Sequence, residues 1–227
     1  DEKLFNIPKI ESNIVRDNDW FALWQKFELL AAKSISELPD WCEGSIAKSI
    51  AAEIKDGSAL FISSSRPIRD LESFATPRGG LTTYANRGLA GIDGNISVAM
   101  GIATRYQEAV AVIGDLGFLH DVAALTNAEA VNLLLIVIDN DGGGIFSTLS
   151  QRGVAGFEEV FGTPHGLDPA AIATSMGIAA KTIDSQAQLI TELSEPVKGM
   201  SVVVVNVPNR DANADFLKGM YNSVSSM

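Results

Sequence analysis

Cysteine, long apolar runs and basic clusters are scarce in this sequence of 227 residues, and each shortage excludes a class of protein. The single cysteine, Cys42, permits no intramolecular disulfide and favours a reducing cytoplasm. No apolar run reaches the roughly 18 residues that a membrane-spanning helix requires. Lysine and arginine number 17 against 28 acidic residues, and they form no cluster that could bind nucleic acid. An anionic ligand must therefore be held by a few placed cations, a metal ion or backbone N–H groups.

Hydrophobic residues make up 46% of the chain, and their arrangement predicts the fold class. Four short apolar runs, rich in β-branched residues, read as strands buried on both faces of a parallel sheet. These runs are residues 59–63, 109–113, 133–138 and 201–207. Helical patterns lie between them at residues 94–105, 121–129, 168–176 and 185–193. The alternation predicts a doubly wound α/β fold, with a mostly parallel sheet and helices on both faces.

The first quarter of the chain has a different character. Residues 1–18 are polar and mixed, and we interpret them as a linker or extended arm. Two leading helices are predicted within residues 19–57, and one α/β domain is predicted over residues 19–227. The three tryptophans of the leading part are expected to pack in the core or against another domain. They are Trp20, Trp24 and Trp41.

Oxygen-bearing side chains follow two of the predicted strands. Asp115 comes directly after the run 109–113 and its glycine, and Asn140 follows the run 133–138, 25 positions later. Ligands of an open parallel sheet bind beyond the carboxyl ends of its strands, so both side chains are expected at one rim. Carboxylate and amide oxygens suit Mg²⁺, and the neighbouring glycines let a diphosphate approach the backbone. The alternative is structural: Asp115 caps a helix and the glycine-rich run 142–144 only turns the chain.

This motif resembles that of thiamine diphosphate (ThDP)-dependent enzymes. Gly114-Asp115-Leu116, with Asp139-Asn140 about two dozen residues later, matches the family's Gly-Asp-Gly and Asn-Asn pair. The resemblance implies Mg²⁺ or Mn²⁺ ligands at Asp115, Asn140 and the carbonyl of Gly142. It also implies cofactor contacts along both segments, at Gly114, Asp115, Leu116, Asn140, Gly142 and Gly143. Leu116 and Asp139 depart from the usual Gly and Asn, whereas the ligand positions themselves are intact.

Three further segments narrow the resemblance to the menaquinone-biosynthetic branch of the family. They are residues 65–70 (SRPIRD), 87–94 (RGLAGIDG) and 161–165 (FGTPH). Enzymes of that branch are transferases that decarboxylate 2-oxoglutarate and add the succinyl-semialdehyde unit to isochorismate, which is a carboligation. Both substrates are polyanions, so an acidic chain needs local cations to bind them.

The resemblance to this branch also implies roles for individual residues. Arg69 and Arg87, with Ser65 nearby, would bind substrate carboxylates, since a guanidinium can hold a carboxylate with two hydrogen bonds. The plainer alternative for Arg69 is a surface salt bridge with Asp70 or Glu72. Backbone groups of Ala90 and Ile92 would meet the aminopyrimidine of ThDP, and the Ile92 side chain would bend the cofactor. Ile145 and Phe146 would line the acceptor pocket, unless they are ordinary core residues.

Part of the family's machinery is missing from this sequence. ThDP enzymes of this kind use a glutamate from a separate pyrimidine-binding domain, and Glu28, Glu37 and Glu53 lie in the wrong region for that role. We assign no catalytic residue to this chain, and neither His120 nor His165 receives a direct role. We expect the N-terminal pyrimidine-binding and central domains to be absent, with residues 1–18 leading from them. The chain alone is expected to be inactive, as part of an enzyme that works as a homodimer or homotetramer.

Other functions stay open at this point. The first alternative is another ThDP enzyme, similar to acetolactate synthase. A substrate such as pyruvate would need fewer arginines than the Arg69 and Arg87 segments offer. A nucleotide-binding module would use Gly88, Gly91 and Gly94, but these lack the Gly-x-Gly-x-x-Gly spacing after a first strand. A regulatory remnant without catalysis is a third alternative. Residues 141–165 are expected to be mobile, because they would cover only half of a binding site.

Overall fold

The computed structural model describes residues 18–225. The predicted linker at residues 1–18 therefore lies almost entirely outside the described residues. No helix within the described part is both long and apolar enough to cross a membrane. Cys42 is buried, which fits a small apolar side chain in the core.

Within residues 18–225 the chain forms one sheet of six parallel strands in the order β2-β1-β3-β4-β6-β5. The four predicted apolar runs are its inner strands, and every residue of β1 and nearly every residue of β3, β4 and β6 is buried. The strands are β1 (Ala59–Ile62), β2 (Thr82–Ala85), β3 (Ala109–Gly114), β4 (Leu133–Asp139), β5 (Ala179–Ile183) and β6 (Met200–Asn206).

The two edge strands, β2 and β5, were not predicted from the sequence. Three residues of β2 are exposed, and in β5 three residues are exposed, Ala180 is half-buried and only Ile183 is buried. An edge strand has a neighbour on one side only and is partly solvated, so it needs no continuous apolar run. The pattern that predicted the inner strands is therefore lacking at both edges.

Helices cover both faces of the sheet, and this confirms the doubly wound α/β fold. Side chains of α2, α3 and α7 pack against one face, and those of α4, α5 and α6 pack against the other. The helices α1 and α8 contact each other. The bounds are α1 (Asn18–Ser36), α2 (Glu43–Glu53), α3 (Arg66–Phe74), α4 (Asn95–Ala103), α5 (Asp115–His120), α6 (Pro169–Ser175), α7 (Gln186–Ser194) and α8 (Arg210–Ser225).

One expectation about the helical parts needs correction, and three helices were not predicted. The helix predicted at residues 121–129 is 3₁₀ structure over Val122–Ala130, interrupted by the non-helical φ of −109° at Asn127. Trp20 and Trp24 lie outside the domain core, with 61% and 58% of each residue exposed on α1, and their packing against another domain stays a prediction. The helices α3, α5 and α8 were not predicted. Trp41 is half-buried, and its Nε1 donates to the carbonyl of Asn206 at 3.0 Å.

The order in which the chain adds strands to the sheet changes direction at β1, and this change positions the site. From β1 it runs outward to β2, then returns past β1 to β3, β1's other neighbour. The segments that leave β1 and β3 therefore diverge, with α3, which follows β1, on one face and α5, which follows β3, on the other. Such a point at the carboxyl ends of parallel strands opens a crevice where ligands of these folds bind.

The core depends on the inner strands, so truncating a side chain there should cost much stability. Leu135 of β4 has no exposed surface. We expect Leu135→Ala to lower the free energy of unfolding by about 2–5 kcal/mol, since it removes buried methyl groups and leaves a cavity. Urea unfolding of the purified protein measures this change. Leu89→Ala is the matched control, because Leu89 is 93% exposed; equal losses in the two variants would contradict this account of the core.

Candidate functional site

An open cleft of about 620 Å³ lies at the carboxyl ends of β1, β3 and β4. Most of the residues singled out from the sequence line it: Ser65, Ile92, Gly114, Asp115, Leu116, Asn140, Gly142, Gly143, Ile145 and Phe146. Arg69, Arg87 and Ala90 do not line it and are exposed. Ile145 and Phe146 are only half-buried, so they are not ordinary core residues. The spacing of motifs along the chain therefore predicted residues that meet in space, while their individual roles stay predictions.

Asp115 is the most enclosed acidic group of this cleft, with 3% of the residue exposed. It begins α5 directly after β3, and its two carboxylate oxygens accept hydrogen bonds from separate backbone groups. The N–H of Leu116 donates to Oδ1 at 2.6 Å, and the N–H of Gly142 donates to Oδ2 at 2.7 Å. Burial raises the pKa of Asp115 to about 6, although both backbone hydrogen bonds and His165 act in the opposite direction.

His165, which was assigned no direct role from the sequence, lies against the same carboxylate. Its Nε2 is 3.2 Å from Oδ2 of Asp115 and 3.8 Å from Oδ1 of Asp139. The N–H of Leu167 donates to Nδ1 at 3.0 Å, which places the proton of a neutral imidazole on Nε2, where it donates to Asp115. Asp115, Asp139 and His165 offer ligand atoms within 4.8 Å of one another. Nothing in the local sequence signals this contact, because 50 residues separate His165 from Asp115.

The segment between Asp141 and Gly166 is tied back to the strand ends. Oδ1 of Asp141 accepts from the N–H groups of His165 and Gly166, at 3.0 and 2.8 Å. The guanidinium of Arg210 donates to the carbonyls of Asp141 and Gly162. Gly142 has φ +130°, and a Cβ there would collide with the carbonyl of Gly162. These contacts join both ends of the segment to the site; its mobility stays a prediction.

Asn140 presents the clearest sign of an additional ligand. Its Nδ2 donates to Oε1 of Glu43 at 2.6 Å. Its Oδ1 is buried and has no hydrogen-bond partner among residues 18–225. An orphaned buried carbonyl oxygen is uncommon, because burial without a partner costs free energy. Together with the Asp115 carboxylate, this oxygen suits a hard cation such as Mg²⁺. The donor set thus fits the metal that the sequence predicts at Asp115 and Asn140.

The third predicted metal ligand, the carbonyl of Gly142, lies in the same turn. Its oxygen accepts from the N–H of Gly144 at 3.0 Å, and a carbonyl keeps a second lone pair. A Cβ at Gly144 would collide with the amide of Asn140, so glycine is required there for close approach. Gly144 is therefore packed against the Asn140 side chain, whereas Gly142 and Gly143 lie against the carbonyls of Gly162 and Phe161.

A buried cluster of charges lies beneath Asn140 and was not predicted. Glu43 begins α2, and its Oε2 is 3.4 Å from Nε of Arg66, with 5% and 12% of their side chains exposed. Arg66 also pairs with Asp70 on the same helix. Burial raises the pKa of Asp70 to about 8; Arg66 opposes this shift, and the nearby Glu43 adds to it. In the sequence Glu43 looks like an ordinary acid in the first turn of a helix, and Arg66 looks like an ordinary surface cation. The sequence therefore gives no sign that these two side chains are buried together.

The two arginines assigned to substrate are exposed. Nη1 of Arg69 donates to the carbonyl of Ser65 at 2.6 Å, and Ser65 lines the cleft. The alternative salt bridges of Arg69 with Asp70 or Glu72 are absent within residues 18–225, where Asp70 pairs with Arg66. Arg87 makes no hydrogen bond or ion pair with the described part of the chain. Both guanidinium groups are therefore available to an anionic ligand.

A doubly wound sheet with paired oxygen ligands and a glycine-rich turn at its crevice defines a cofactor-binding α/β domain. The particular family follows from residues 69–207, which match the model of the thiamine pyrophosphate enzyme C-terminal TPP-binding domain. The chain belongs to this family, and the resemblance to ThDP-dependent enzymes is confirmed. The family does not favour the alternative of a nucleotide-binding module.

Three relatives of this chain carry the name 2-succinyl-5-enolpyruvyl-6-hydroxy-3-cyclohexene-1-carboxylate synthase. The protein of Lysinibacillus sphaericus is 36% identical over 95% of this chain and 39% of its own length. Those of Thermobifida fusca and Myxococcus xanthus are 38% and 40% identical over 80% and 86% of this chain. The chain spans 34–39% of the length of these three relatives.

Solved structures support the fold. Benzoylformate decarboxylase from Polynucleobacter necessarius superposes with a TM-score of 0.59 over 73% of this chain and 33% of its own, at 19% identity. A putative thiamin diphosphate-dependent enzyme from Mycobacterium smegmatis gives a TM-score of 0.59 over 75% of this chain and 32% of its own, at 22% identity. At these identities the likeness shows a shared fold and no more.

The raised pKa of Asp70 predicts how stability depends on pH. Between pH 4 and pH 8 the folded state keeps a proton on Asp70 that the unfolded state, with a pKa of 3.8, has lost. This group therefore makes the free energy of unfolding fall as pH rises through that interval, by about 1 kcal/mol per pH unit. We expect Asp70→Asn, which stays neutral and can still accept from Arg66, to lose this dependence.

Urea unfolding at pH 5, 6, 7 and 8 measures the effect. Asp215→Asn is the control, because the pKa of the exposed Asp215 is lowered by its hydrogen bond with Arg152 and its contribution changes only at lower pH. Identical pH profiles for wild type and Asp70→Asn would contradict a protonated, buried Asp70.

Proposed function

We propose that this chain is the diphosphate- and metal-binding part of a ThDP-dependent transferase of menaquinone biosynthesis. The enzyme would decarboxylate 2-oxoglutarate and add the succinyl-semialdehyde unit to isochorismate, as the shared name of the relatives suggests. The observation that carries the proposal is the buried Oδ1 of Asn140, which has no hydrogen-bond partner within residues 18–225 and lies in the same cleft as Asp115. Two oxygen donors at the ends of neighbouring strands are what a metal-bridged diphosphate requires.

The metal in this proposal is Mg²⁺ or Mn²⁺, held by Asp115, Asn140 and the carbonyl of Gly142. Gly114, Leu116 and Gly143 line the cleft around it, so backbone can approach the diphosphate closely. Bound ThDP supplies a thiazolium carbon that can act as a nucleophile towards a 2-oxo acid. The chain's own part would be to hold the diphosphate end and to place the Ile92 side chain against the cofactor, and backbone groups of Ala90 and Ile92 would contact its aminopyrimidine.

Substrate binding is assigned to the rim of the cleft. Arg69 and Arg87 are exposed and unpaired with acids in the described chain, so their guanidinium groups can donate hydrogen bonds to substrate carboxylates. Ser65 holds Arg69 through its carbonyl. Ile145 and Phe146 give the cleft an apolar wall for the acceptor ring. These features favour a dicarboxylic substrate over pyruvate, which an acetolactate synthase-like enzyme would use.

The complete reaction needs groups that residues 18–225 do not supply. We propose that a pyrimidine-binding domain and a central domain precede this part in the full-length protein, which is consistent with the greater length of the relatives. The activating glutamate would come from that pyrimidine-binding domain in a second subunit of a homodimer or homotetramer. This part alone would then be inactive. The single cysteine is consistent with a cytoplasmic enzyme.

Titration of ThDP tests the metal site. We expect calorimetry to show binding to the full-length protein that requires Mg²⁺, and we expect Asp115→Ala to abolish it, because one ligand is lost and a buried hydrogen-bond network is broken. Glu37→Gln, which changes an exposed acid in the turn after α1, is the control and should bind normally. Binding that persists in Asp115→Ala or needs no divalent cation would refute the assignment.

Steady-state kinetics of the full-length enzyme test the substrate. We expect turnover of 2-oxoglutarate with isochorismate and little turnover of pyruvate. Arg69→Ala should raise the KM for a carboxylate substrate about tenfold or more, since one charge-assisted hydrogen-bonding partner is lost. Arg78→Ala serves as a matched control, because Arg78 is occupied by Asp56 and by carbonyls of the α2 end. Preference for pyruvate would favour the acetolactate synthase-like alternative.

A further inference from the structure

The carboxamide of Asn140 can present two different ends to the cleft. Its oxygen can bind a cation, whereas its NH₂ group can only donate hydrogen bonds and would repel one. The terminal torsion of an asparagine has two broad wells related by about half a turn, so covalent geometry does not choose between these ends. Another group must fix the orientation if Asn140 is to serve as a metal ligand.

Glu43 is the group that faces this carboxamide. Its Oε1 accepts from Nδ2 of Asn140 at 2.6 Å, a short hydrogen bond. A carboxylate offers acceptors only, so it can pair with the NH₂ end and not with the carbonyl end. The opposite orientation would bring two oxygens together in a buried site, where an unpaired polar group is costly. Pairing with Glu43 thus leaves Oδ1 as the free atom of Asn140, and this atom has no partner among residues 18–225.

Glu43 is itself held in place from two sides. Its backbone N–H donates to Oδ1 of Asn213 at 3.2 Å, which anchors the start of α2 against α8. Its second carboxylate oxygen, Oε2, lies 3.4 Å from Nε of Arg66. A buried carboxylate without a cation would be strongly unfavourable, so Arg66 supplies the countercharge.

We propose that Glu43 is a positioning residue of the metal site: its carboxylate orients the Asn140 carboxamide with Oδ1 towards the cation, and Arg66 balances its charge. Glu43 touches neither cofactor nor substrate in this role. It lies outside residues 69–207, the part that matches the family model. The inference rests on the proposed cation site at Asp115 and Asn140, so its test must separate the two.

Exchanging the two partners tests the role of the hydrogen bond. In Glu43→Gln, the Gln oxygen should turn to Arg66, so its NH₂ group would face that of Asn140 and drive the carboxamide to the wrong orientation. In Asn140→Asp, two carboxylates would face each other. In the double variant Glu43→Gln/Asn140→Asp, the Gln NH₂ can donate to one Asp oxygen and leave the other for the cation. The double variant also keeps the net charge of the pair.

The measurement is Mn²⁺ affinity of the full-length protein at saturating ThDP, followed by electron paramagnetic resonance of free Mn²⁺. We expect each single variant to bind Mn²⁺ about 10- to 100-fold more weakly than wild type, as for other residues that orient metal ligands. The double variant should recover most of this loss. Glu53→Gln, at the exposed end of the same helix, is the control and should match wild type. Thermal unfolding of all variants checks that the fold is retained.

The outcomes separate the inference from the proposed function. Wild-type Mn²⁺ affinity in Glu43→Gln, with binding lost in Asp115→Ala, would overturn the role of Glu43 and leave the cation site standing. A double variant no better than the weaker single variant would also overturn it. Failure of the wild-type protein to bind Mn²⁺ with ThDP would overturn the proposed function, and the role of Glu43 with it.

Discussion

The register between β3 and β4 determines where chemistry can occur in this domain. Gly114 pairs with Ile138 at the carboxyl ends of the two strands, so Asp115 and Asn140 leave the sheet at one rim. Both strands are buried on both faces, and a shift of their pairing by one residue would turn every core side chain to the opposite face. The hydrophobic core therefore fixes the distance between the two candidate metal ligands, and Gly142 connects them through its hydrogen bond to Asp115.

Much of the fold could be predicted from the sequence, because burial on two faces leaves a strong pattern. The inner strands β1, β3, β4 and β6 were predicted to within one residue at each end. The edge strands β2 and β5 could not be recognised, since solvent replaces part of their apolar contacts. The short 3₁₀ segment Val122–Ala130 was predicted as a helix because periodicity does not distinguish one helical type from another in so short a stretch.

In the candidate site, residues within sequence motifs could be predicted, whereas residues brought to the site from distant parts of the sequence could not. Residues within motifs, such as Asp115 and Asn140, were predicted because the motif itself carries their spacing. Glu43 and His165 were not assigned, although each contacts one of these ligands. Their contacts span 97 and 50 residues of sequence and depend on how helices and loops pack. A single sequence gives no sign that an acid in a helix's first turn is buried against an amide.

We propose that a cation joins Asp115 and Asn140 at the rim of the sheet. Anomalous diffraction from crystals of the full-length protein grown with Mn²⁺ and ThDP tests it most directly, because Mn²⁺ can be located independently of the refined side chains. The account predicts an anomalous peak within bonding distance of the Asp115 carboxylate and of Oδ1 of Asn140, with Nδ2 still on Glu43. A peak elsewhere, or an Asn140 carboxamide that presents Nδ2 to the cleft, would contradict it.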